Sequence, residues 1–525
     1  MVDDGLKLKV DKLTEELIEG LYQEDCKHES PNNEEKNRIS QMLEKAKGNR
    51  LTNPIVYLFK ELVDLKERKG VTPADFGITK DELYELAIKH QEIDEHYVTV
   101  GGRVARALKI VEEANRRVED YLAHKDEEAP SGIELWDQIQ ENIKRIKKVL
   151  NISDEEWDTY SGQLKHAIED AETLSKVIDL PAKAIEEVTR VTKHYRMRLT
   201  PYYASLIIPG KLDDPVLQQA VPTGEMVDNV GVEIPPVAAD HSPARLLDQF
   251  YPRVVSMKAT NMCAMYCTHC LRIAHIGKKD RIYPKEAYRE AFEYIRNNPN
   301  IRDVLVTGGD AFVLPNSYIK WILDELDSID HVKMKRLGTR IPVTTPQRVD
   351  DELLEILDKS NDKKPLRVVV QINTPQEITP VSKEAFKKIS KAVSAILNQA
   401  VLLRGINDST YKMWKLCEVI QEAYVRPYYV FNCSYRNPQF KHLRVPIEEG
   451  RNIIEGMYGN ISGDAIPRYI ATAGGKIPLH RSNVVRREGE NVILRKPWSG
   501  EEVAYPDADI CEYSKEKYSF RKFEE

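Results

Sequence analysis

Two hydrophobic periods divide the chain. Up to about residue 200, apolar residues recur three and four apart with charges between them, as in "LTNPIVYLFKELVDLKERKG" (51–70) and "VGGRVARALKIVEEANRRVEDYLAHK" (100–125). That is the spacing of amphipathic helices. Residues 1–135 read as a mostly helical extension rich in Glu, Lys and Asp, and the helical reading continues from 136 to "RLTPYYASLI" (198–207). A Pro-rich stretch follows, "DDPVLQQAVPT…GVEIPPVAADHSPARLLDQFYP" (213–252). It is too long for a simple connection and is expected to wrap a surface or cover a site. From residue 253 short β-rich runs alternate with amphipathic helices. Strands are expected at 254–260, 303–307, 332–338, 366–372, 399–403 and 427–432, with helices at 284–298, 316–329 and 382–399. Strands that are each followed by a helix call for parallel pairing and right-handed crossovers. Six such units, fewer than the eight of a closed barrel, predict an α/β fold built on a partial, TIM-like (βα)6 barrel. Chemistry then belongs in the loops at the C-terminal ends of the strands. The expected segments are 1–135, 136–250 around the barrel, 251–435 as the barrel itself, and 436–525 as a C-terminal segment.

Charge narrows the partners. With 77 basic and 84 acidic residues the net charge is -7, so no polybasic surface for nucleic acid or membrane is advertised. No apolar run approaches the roughly 18 residues that span a bilayer, and the N-terminal "MVDDGLKLKVDKLTEELIEG" is acidic and amphipathic, unlike a secretory signal. Seven cysteines, odd in number and unevenly spaced, argue against a disulfide framework and for a reducing cytoplasm, where clustered cysteines bind metal. His90 and His96 are scattered and expected at the surface rather than as ligands.

Three of the seven cysteines fall within eight positions, in "NMCAMYCTHCLR" (261–272), directly after the first expected barrel strand. Cys263, Cys267 and Cys270 have the spacing C-x3-C-x2-C. Tetrahedral zinc commonly draws four ligands from paired knuckles, and no second pair stands nearby. Three thiolates suit a [4Fe–4S] cluster with one iron left open to a further ligand. The alternative is a three-Cys, one-His zinc site with His269 or His275 as the fourth ligand. His269, lying between two of the cysteines, is poorly placed to reach the same tetrahedron. A second candidate element is "YIATAGGKIPLHRSN" (469–483), where Lys476 follows two glycines. A Gly-Gly-Lys turn is commonly a loop with a solvated lysine. In this setting, flexible backbone beside an amine suits Schiff-base attachment of pyridoxal 5′-phosphate.

The cysteine spacing after the first strand of a partial barrel resembles the radical S-adenosylmethionine enzymes. The resemblance implies that S-adenosyl-L-methionine chelates the open iron, and that an electron from the reduced cluster cleaves the sulfonium to a 5′-deoxyadenosyl radical. It places His269 near the adenine and "TGGD" (307–310) at the methionine ammonium. Gly308 and Gly309 would allow close backbone approach there, and Asp310 would supply a carboxylate. Arg340 in "LGTRIP" is the candidate for the methionine carboxylate. With "LTPYYASLI", "DDPVLQQAVPT", "CAMYCTHCLR", "VTGGDA", "GTRIPVTTPQRV" and "AGGKIPL", the chain from about 157 to about 500 is similar to the lysine 2,3-aminomutase family, which includes glutamate 2,3-aminomutase. The first 135 residues carry no resemblance. The family implies an isomerase that moves an α-amino group to the β-carbon by radical chemistry on a pyridoxal-bound amino acid. Cys263, Cys267 and Cys270 would be the cluster ligands and Lys476 the pyridoxal lysine. Tyr251 would pack against the pyridine ring, and Arg253, one place out of register, would meet the phosphate. Arg272 would pair with the substrate α-carboxylate, a group its fork suits. The implied partners are a small amino acid, a reduced flavodoxin or ferredoxin as electron donor, and a second copy of the chain in a homo-oligomer.

The chain also departs from that pattern. Two aspartates of the lysine enzyme, which bind the distal ammonium, are replaced by Ser434 and Thr472. A buried ammonium without anionic partners is strongly unfavourable, so lysine is expected to be a poor substrate. The glutamate enzyme has a lysine and an asparagine at those positions, and neither is present; Arg436 is the candidate for a distal carboxylate. The alternatives are lysine 2,3-aminomutase proper, another radical reaction on a bound amino acid, and a non-catalytic iron–sulfur scaffold. The family's structural zinc is not expected, since Ser409 replaces one cysteine and Cys511 stands alone near the C-terminus. Cys26, Cys417 and Cys433 read as ordinary thiols.

Overall fold

The computed structural model describes residues 12–23, 29–48, 53–93, 100–229, 241–277 and 279–508. Cys26, His96 and Cys511 lie outside these residues. The chain forms two compact units, Met1–Glu119 and Asp120–Glu525.

In the first unit the expected helices form at Lys12–Leu21, Asn33–Gly48, Asn53–Lys69 and Lys80–Ile93. Leu58, Leu62 and Leu65, at helical spacing, join Ile18, Leu21, Ile39, Leu83 and Tyr84 in one core. His90 is half-buried on the last of these helices. A longer helix spans Val100–Glu128.

The second unit opens with the helix Trp136–Leu150, whose Ile139, Ile143 and Ile146 enter a core with Trp157, Leu174, Val188, Tyr202 and Leu217. The described parts of the Pro-rich stretch, 213–229 and 241–252, hold more regular structure than the composition suggests. Asp214 caps the helix Pro215–Ala220, its Oδ1 accepting from the N–H groups of Val216 and Leu217 at 2.8 and 2.9 Å. The stretch ends in strand β1, Leu247–Tyr251, a strand that its Pro-rich composition does not predict.

A nine-stranded sheet follows in chain order. It comprises β1, β2 (Val254–Thr260), β3 (Asp303–Gly308), β4 (Met334–Thr339), β5 (Leu366–Val370), β6 (Ala395–Leu402), β7 (Arg426–Asn432), β8 (Arg468–Thr472) and β9 (Lys476–Pro478). From β2 to β8 every pairing is parallel. β1 and β9 are antiparallel additions at the two edges. This is a curled half-barrel, the expected α/β architecture, with one more parallel strand than the six anticipated. The expected helix 382–399 is shorter. It ends at Ala392, and β6 begins at Ala395. "AILNQAVL" lacks the β-branched run that marks a strand, and its strand state is set by burial against neighbours, six of its eight residues being buried. Beyond β9, a separate antiparallel sheet forms from β10 (Val484–Glu488), β11 (Asn491–Arg495) and β12 (Glu502–Pro506).

Candidate active site

The ends of β2 to β8 surround a cavity of about 410 Å³, at the C-terminal face where half-barrel chemistry resides. The loop after β2 carries the three cysteines into its wall. Asn261 fixes the loop's base by donating to the carbonyls of Ile276 (2.9 Å) and Lys279 (2.8 Å). The preceding helical segment holds the loop from outside. Arg198 donates to the Cys263 carbonyl at 3.2 Å, and the Thr268 N–H donates to the Gln219 carbonyl at 2.9 Å. Burial pushes the Cys263 thiol well up, with Asp310 adding to the effect. Burial, then Cys267, pushes Cys270 up to about 12. Crowded thiols that resist ionisation on their own are suited to a metal that compensates the charge. Among the described residues, no three His, Cys, Asp or Glu side chains gather to chelate a single ion. The two histidines weighed as zinc ligands face other groups. His275 Nε2 lies 3.2 Å from the Thr260 carbonyl, and His269 Nε2 lies 3.3 Å from both Gln371 Oε1 and Asn373 Nδ2.

His269 is buried, and its Nδ1 has no hydrogen-bond partner. Burial, then the Arg340 charge, lowers its pKa to about 3, so the ring is neutral. Gly308 and Gly309 both line the cavity, but their lack of a side chain is required by the protein itself. A Cβ on Gly308, whose φ is +118°, would lie 2.2 Å from the Thr260 carbonyl oxygen, and one on Gly309 would lie 2.1 Å from that of Met262. The Asp310 carboxylate accepts from the Arg340 N–H at 2.6 Å and the Phe312 N–H at 2.9 Å. Arg340 is 8 % exposed. Its NH2 meets Glu377 and Gln219 at 2.6 Å each and the Tyr203 hydroxyl at 3.0 Å, while NH1 lies 2.9 Å from Cys267 Sγ. Its Nε is buried without a partner, so the Nε–NH1 edge retains donor capacity. Arg272 NH1 donates to Thr307 Oγ1 at 2.7 Å and to the Gly308 carbonyl at 3.3 Å.

Across the cavity, Lys476 opens β9 after the tight turn of Gly474 and Gly475, whose φ values are +69° and +152°. The turn places Nζ over the rings of Tyr429 (4.8 Å) and Phe431 (5.5 Å). Burial, then the Arg336 charge, lowers the amine's pKa to about 8. Tyr251, on the opposite edge strand β1, accepts a hydrogen bond at its hydroxyl from the Lys476 N–H at 2.9 Å. Two sequence candidates are not brought to this wall. Arg253 is exposed at the start of β2, and Ser434 Oγ accepts from the Arg436 N–H at 3.2 Å. Thr472 does line the cavity, while Arg436 is exposed. Ser409 caps the helix Thr410–Glu422, and Cys417 and Cys433 are buried.

Arg336 and Asp248 also line the cavity and were not singled out from sequence. Arg336 Nε is 2.8 Å from Asp303, and Asp248 pairs with Lys258 at 2.7 Å. Period two in β4 carries the signal for Arg336. Within β4, positions 336 and 338 both line the cavity.

Residues 257–415 match the family model of the radical SAM superfamily, which defines the class of the barrel. Glutamate 2,3-aminomutase of Clostridioides difficile is 37% identical over 413 residues, 78% of this chain and 96% of the relative. L-lysine 2,3-aminomutase of Clostridium subterminale is 37% identical over 357 residues (67% of this chain, 85% of the relative). That of Bacillus subtilis is 37% identical over 379 residues (71% and 79%). The chain belongs to the radical SAM family of lysine and glutamate 2,3-aminomutases, enzymes of the isomerase class. Membership implies a [4Fe–4S] cluster, S-adenosylmethionine, a small substrate and an electron donor. Among the described residues no helix is long and apolar enough to cross a membrane.

Proposed function

We propose that this chain is an amino acid 2,3-aminomutase whose substrate is glutamate or a neutral amino acid rather than lysine. The observation that carries the reading is one cavity lined by three thiols, by Arg272 and by a lysine amine whose pKa is lowered to about 8. Cys263, Cys267 and Cys270 would hold the cluster. The unpartnered Nδ1 of His269 and the Nε–NH1 edge of Arg340, with Gly308, Gly309 and Asp310 beside them, would hold S-adenosylmethionine. Lys476 and Tyr251 would hold pyridoxal 5′-phosphate, with Arg336 the cation on the wall and Arg253 outside it. When bound, the cluster and S-adenosylmethionine supply a hydrogen-abstracting radical, and pyridoxal phosphate supplies a π-system that spreads spin during nitrogen migration.

The chain's residues position and shield. Arg272, held by Thr307 and the Gly308 carbonyl, offers its remaining donors to a substrate α-carboxylate. Lys476 carries a substantial neutral fraction near pH 7, so its nitrogen lone pair is available for covalent attachment. The parallel strands and the cysteine loop exclude water from the reacting centre, and fixed donors hold reactants in register.

The substrate assignment follows from the acids on the wall. Asp248 is tied to Lys258, and Asp310 to the backbone of Arg340 and Phe312. Thr472 and Ser434 are hydroxyls. A distal ammonium therefore meets no uncommitted carboxylate among the described residues lining the cavity. In the same reading a reduced flavodoxin or ferredoxin donates the electron, and the protein works in the cytoplasm as a homo-oligomer in which residues 1–135 are an extension to the catalytic segments.

Anaerobic reconstitution tests the proposal. Expected are reductive cleavage of S-adenosylmethionine, a pyridoxal absorbance band that Lys476→Ala abolishes, and turnover within a panel of α-amino acids that leaves lysine nearly unused. Efficient lysine isomerisation overturns the substrate assignment, and absence of both cofactor signals overturns the enzyme.

A further inference from the structure

A buried polar network converges on one guanidinium beside the cysteine loop. Tyr203 and Gln219 come from the helical segment ahead of the barrel, Arg340 from the end of β4 and Glu377 from the turn after β5. All three partners meet NH2 of Arg340, at 2.6 to 3.0 Å. Glu377 is 0 % exposed and fully engaged. Its Oε1 also accepts from the Tyr203 hydroxyl at 3.0 Å, and its Oε2 accepts from the N–H groups of Asn373 (2.8 Å) and Thr374 (3.2 Å). The guanidinium is thereby fixed with NH1 2.9 Å from Cys267 Sγ. A buried ion pair is weak evidence for stability, since well-packed apolar residues usually serve as well. An ion pair aimed at a cysteine sulfur points instead to the electronics of what that sulfur binds.

We infer that Arg340 tunes the reduction potential of the cluster held by Cys267, and that Glu377 is the positioning residue that keeps the guanidinium against the sulfur. The inference rests on the cluster assignment made above. Net charge and hydrogen bonds to cluster sulfurs are established levers on such potentials. The direction is set by charge. A one-electron donor adds one negative charge to the cluster, and a cationic N–H donor at a ligand sulfur stabilises that reduced state more than the oxidised one. Arg340 therefore raises the potential and makes the electron easier to deliver.

The test is an EPR-monitored redox titration of the reconstituted full-length enzyme, wild type against Arg340→Gln and Arg340→Lys. Arg340→Gln is expected to shift the one-electron equilibrium about tenfold toward the oxidised cluster, about 59 mV for a one-electron couple. Arg340→Lys, which keeps the charge but cannot span Glu377 and Cys267 with a planar fork, recovers part of that shift. A general loosening of the wall would not be rescued by charge. A second measurement needs no substitution at this position. In protein labelled with 15N at arginine, pulsed EPR of the reduced cluster should show an arginine nitrogen coupling that persists in Arg272→Lys. A one-electron equilibrium within twofold of wild type in Arg340→Gln, or no such coupling, overturns the inference while leaving the cluster assignment intact. Wild-type protein that assembles no iron–sulfur cluster overturns the assignment and the inference together.

Discussion

Lys476 offers the sharpest quantitative handle on the site. Its amine is moved from 10.5 to about 8, first by burial and then by the Arg336 charge. At pH 7 a lysine with the ordinary value is neutral roughly once in 3,000 molecules; one at 8 is neutral roughly once in ten, a gain of about 300-fold in reactive amine. Reductive methylation of the apoprotein with limiting isotopic formaldehyde, read peptide by peptide in a mass spectrometer from pH 6 to 11, reports this directly. Lys476 should label far ahead of exposed lysines at neutral pH, with a rate that rises through a midpoint near 8 and then levels. Replacing Arg336 with Gln should move the midpoint upward but short of the ordinary value, because burial is the larger cause. The sign follows from charge. A nearby cation and a dry wall both disfavour the ammonium, so removing either favours protonation. If Lys476 titrates alongside exposed lysines near 10.5, the account of this wall is wrong.

Other expectations concern the backbone and the carboxylate clamp. Gly475→Ala combines a left-handed φ of +152° with a Cβ 2.6 Å from the Trp498 ring. It should destabilise by on the order of 1–3 kcal/mol in thermal denaturation, and Trp498→Ala in the same chain should recover only the clash. Gly309→Ala drives a Cβ to 2.1 Å from the Met262 carbonyl oxygen; iron retained after anaerobic reconstitution should fall sharply while the far-ultraviolet CD spectrum is kept. Arg272→Gln should lower kcat/KM on the preferred amino acid roughly 10- to 150-fold, the worth of a charged hydrogen-bonded contact, without changing pyridoxal absorbance. Asp214→Ala leaves the N–H groups of Ile208, Val216 and Leu217 without their acceptor and should cost on the order of 2 kcal/mol or more in urea denaturation.

The parallel strands were legible where β-branched residues run together, as in β2, β3 and β5, or where aromatic residues cluster, as in β7. β6 was read largely as helix because "AILNQ" carries no local strand preference; its neighbours decide its state. β1 was hidden inside a Pro-rich stretch, and the short β8–β9 hairpin is defined by the turn that carries Lys476 more than by any periodicity. In the site, spacing was enough to single out the cysteines, and the two flanking glycines drew attention to Lys476; the Gly-Gly-Asp run was carried by the family resemblance. Asp248 was missed because only strand packing turns it inward, and Arg336 because its two-residue period in β4 covers too few positions to stand out alone. The reason for the Gly-Gly pair also lay outside sequence reach. It is the close passage of the Thr260 and Met262 backbone, a contact between separate strand ends. Arg340 shows the same limit, since nothing in "LGTRIP" tells that Glu377, Gln219 and Tyr203 will hold it.

Tyr251 and Lys476 stand on the first and last strands of the nine-stranded sheet, and the bond from the Lys476 N–H to the Tyr251 hydroxyl joins those margins. Among the described residues no strand-to-strand ladder zips β1 to β9, so the half-barrel has a seam there, fastened by a side chain. Such a seam is where local opening of the wall would begin, a door beside the amine of Lys476. Deuterium uptake at that single amide would therefore register the door opening before any strand of the interior exchanges.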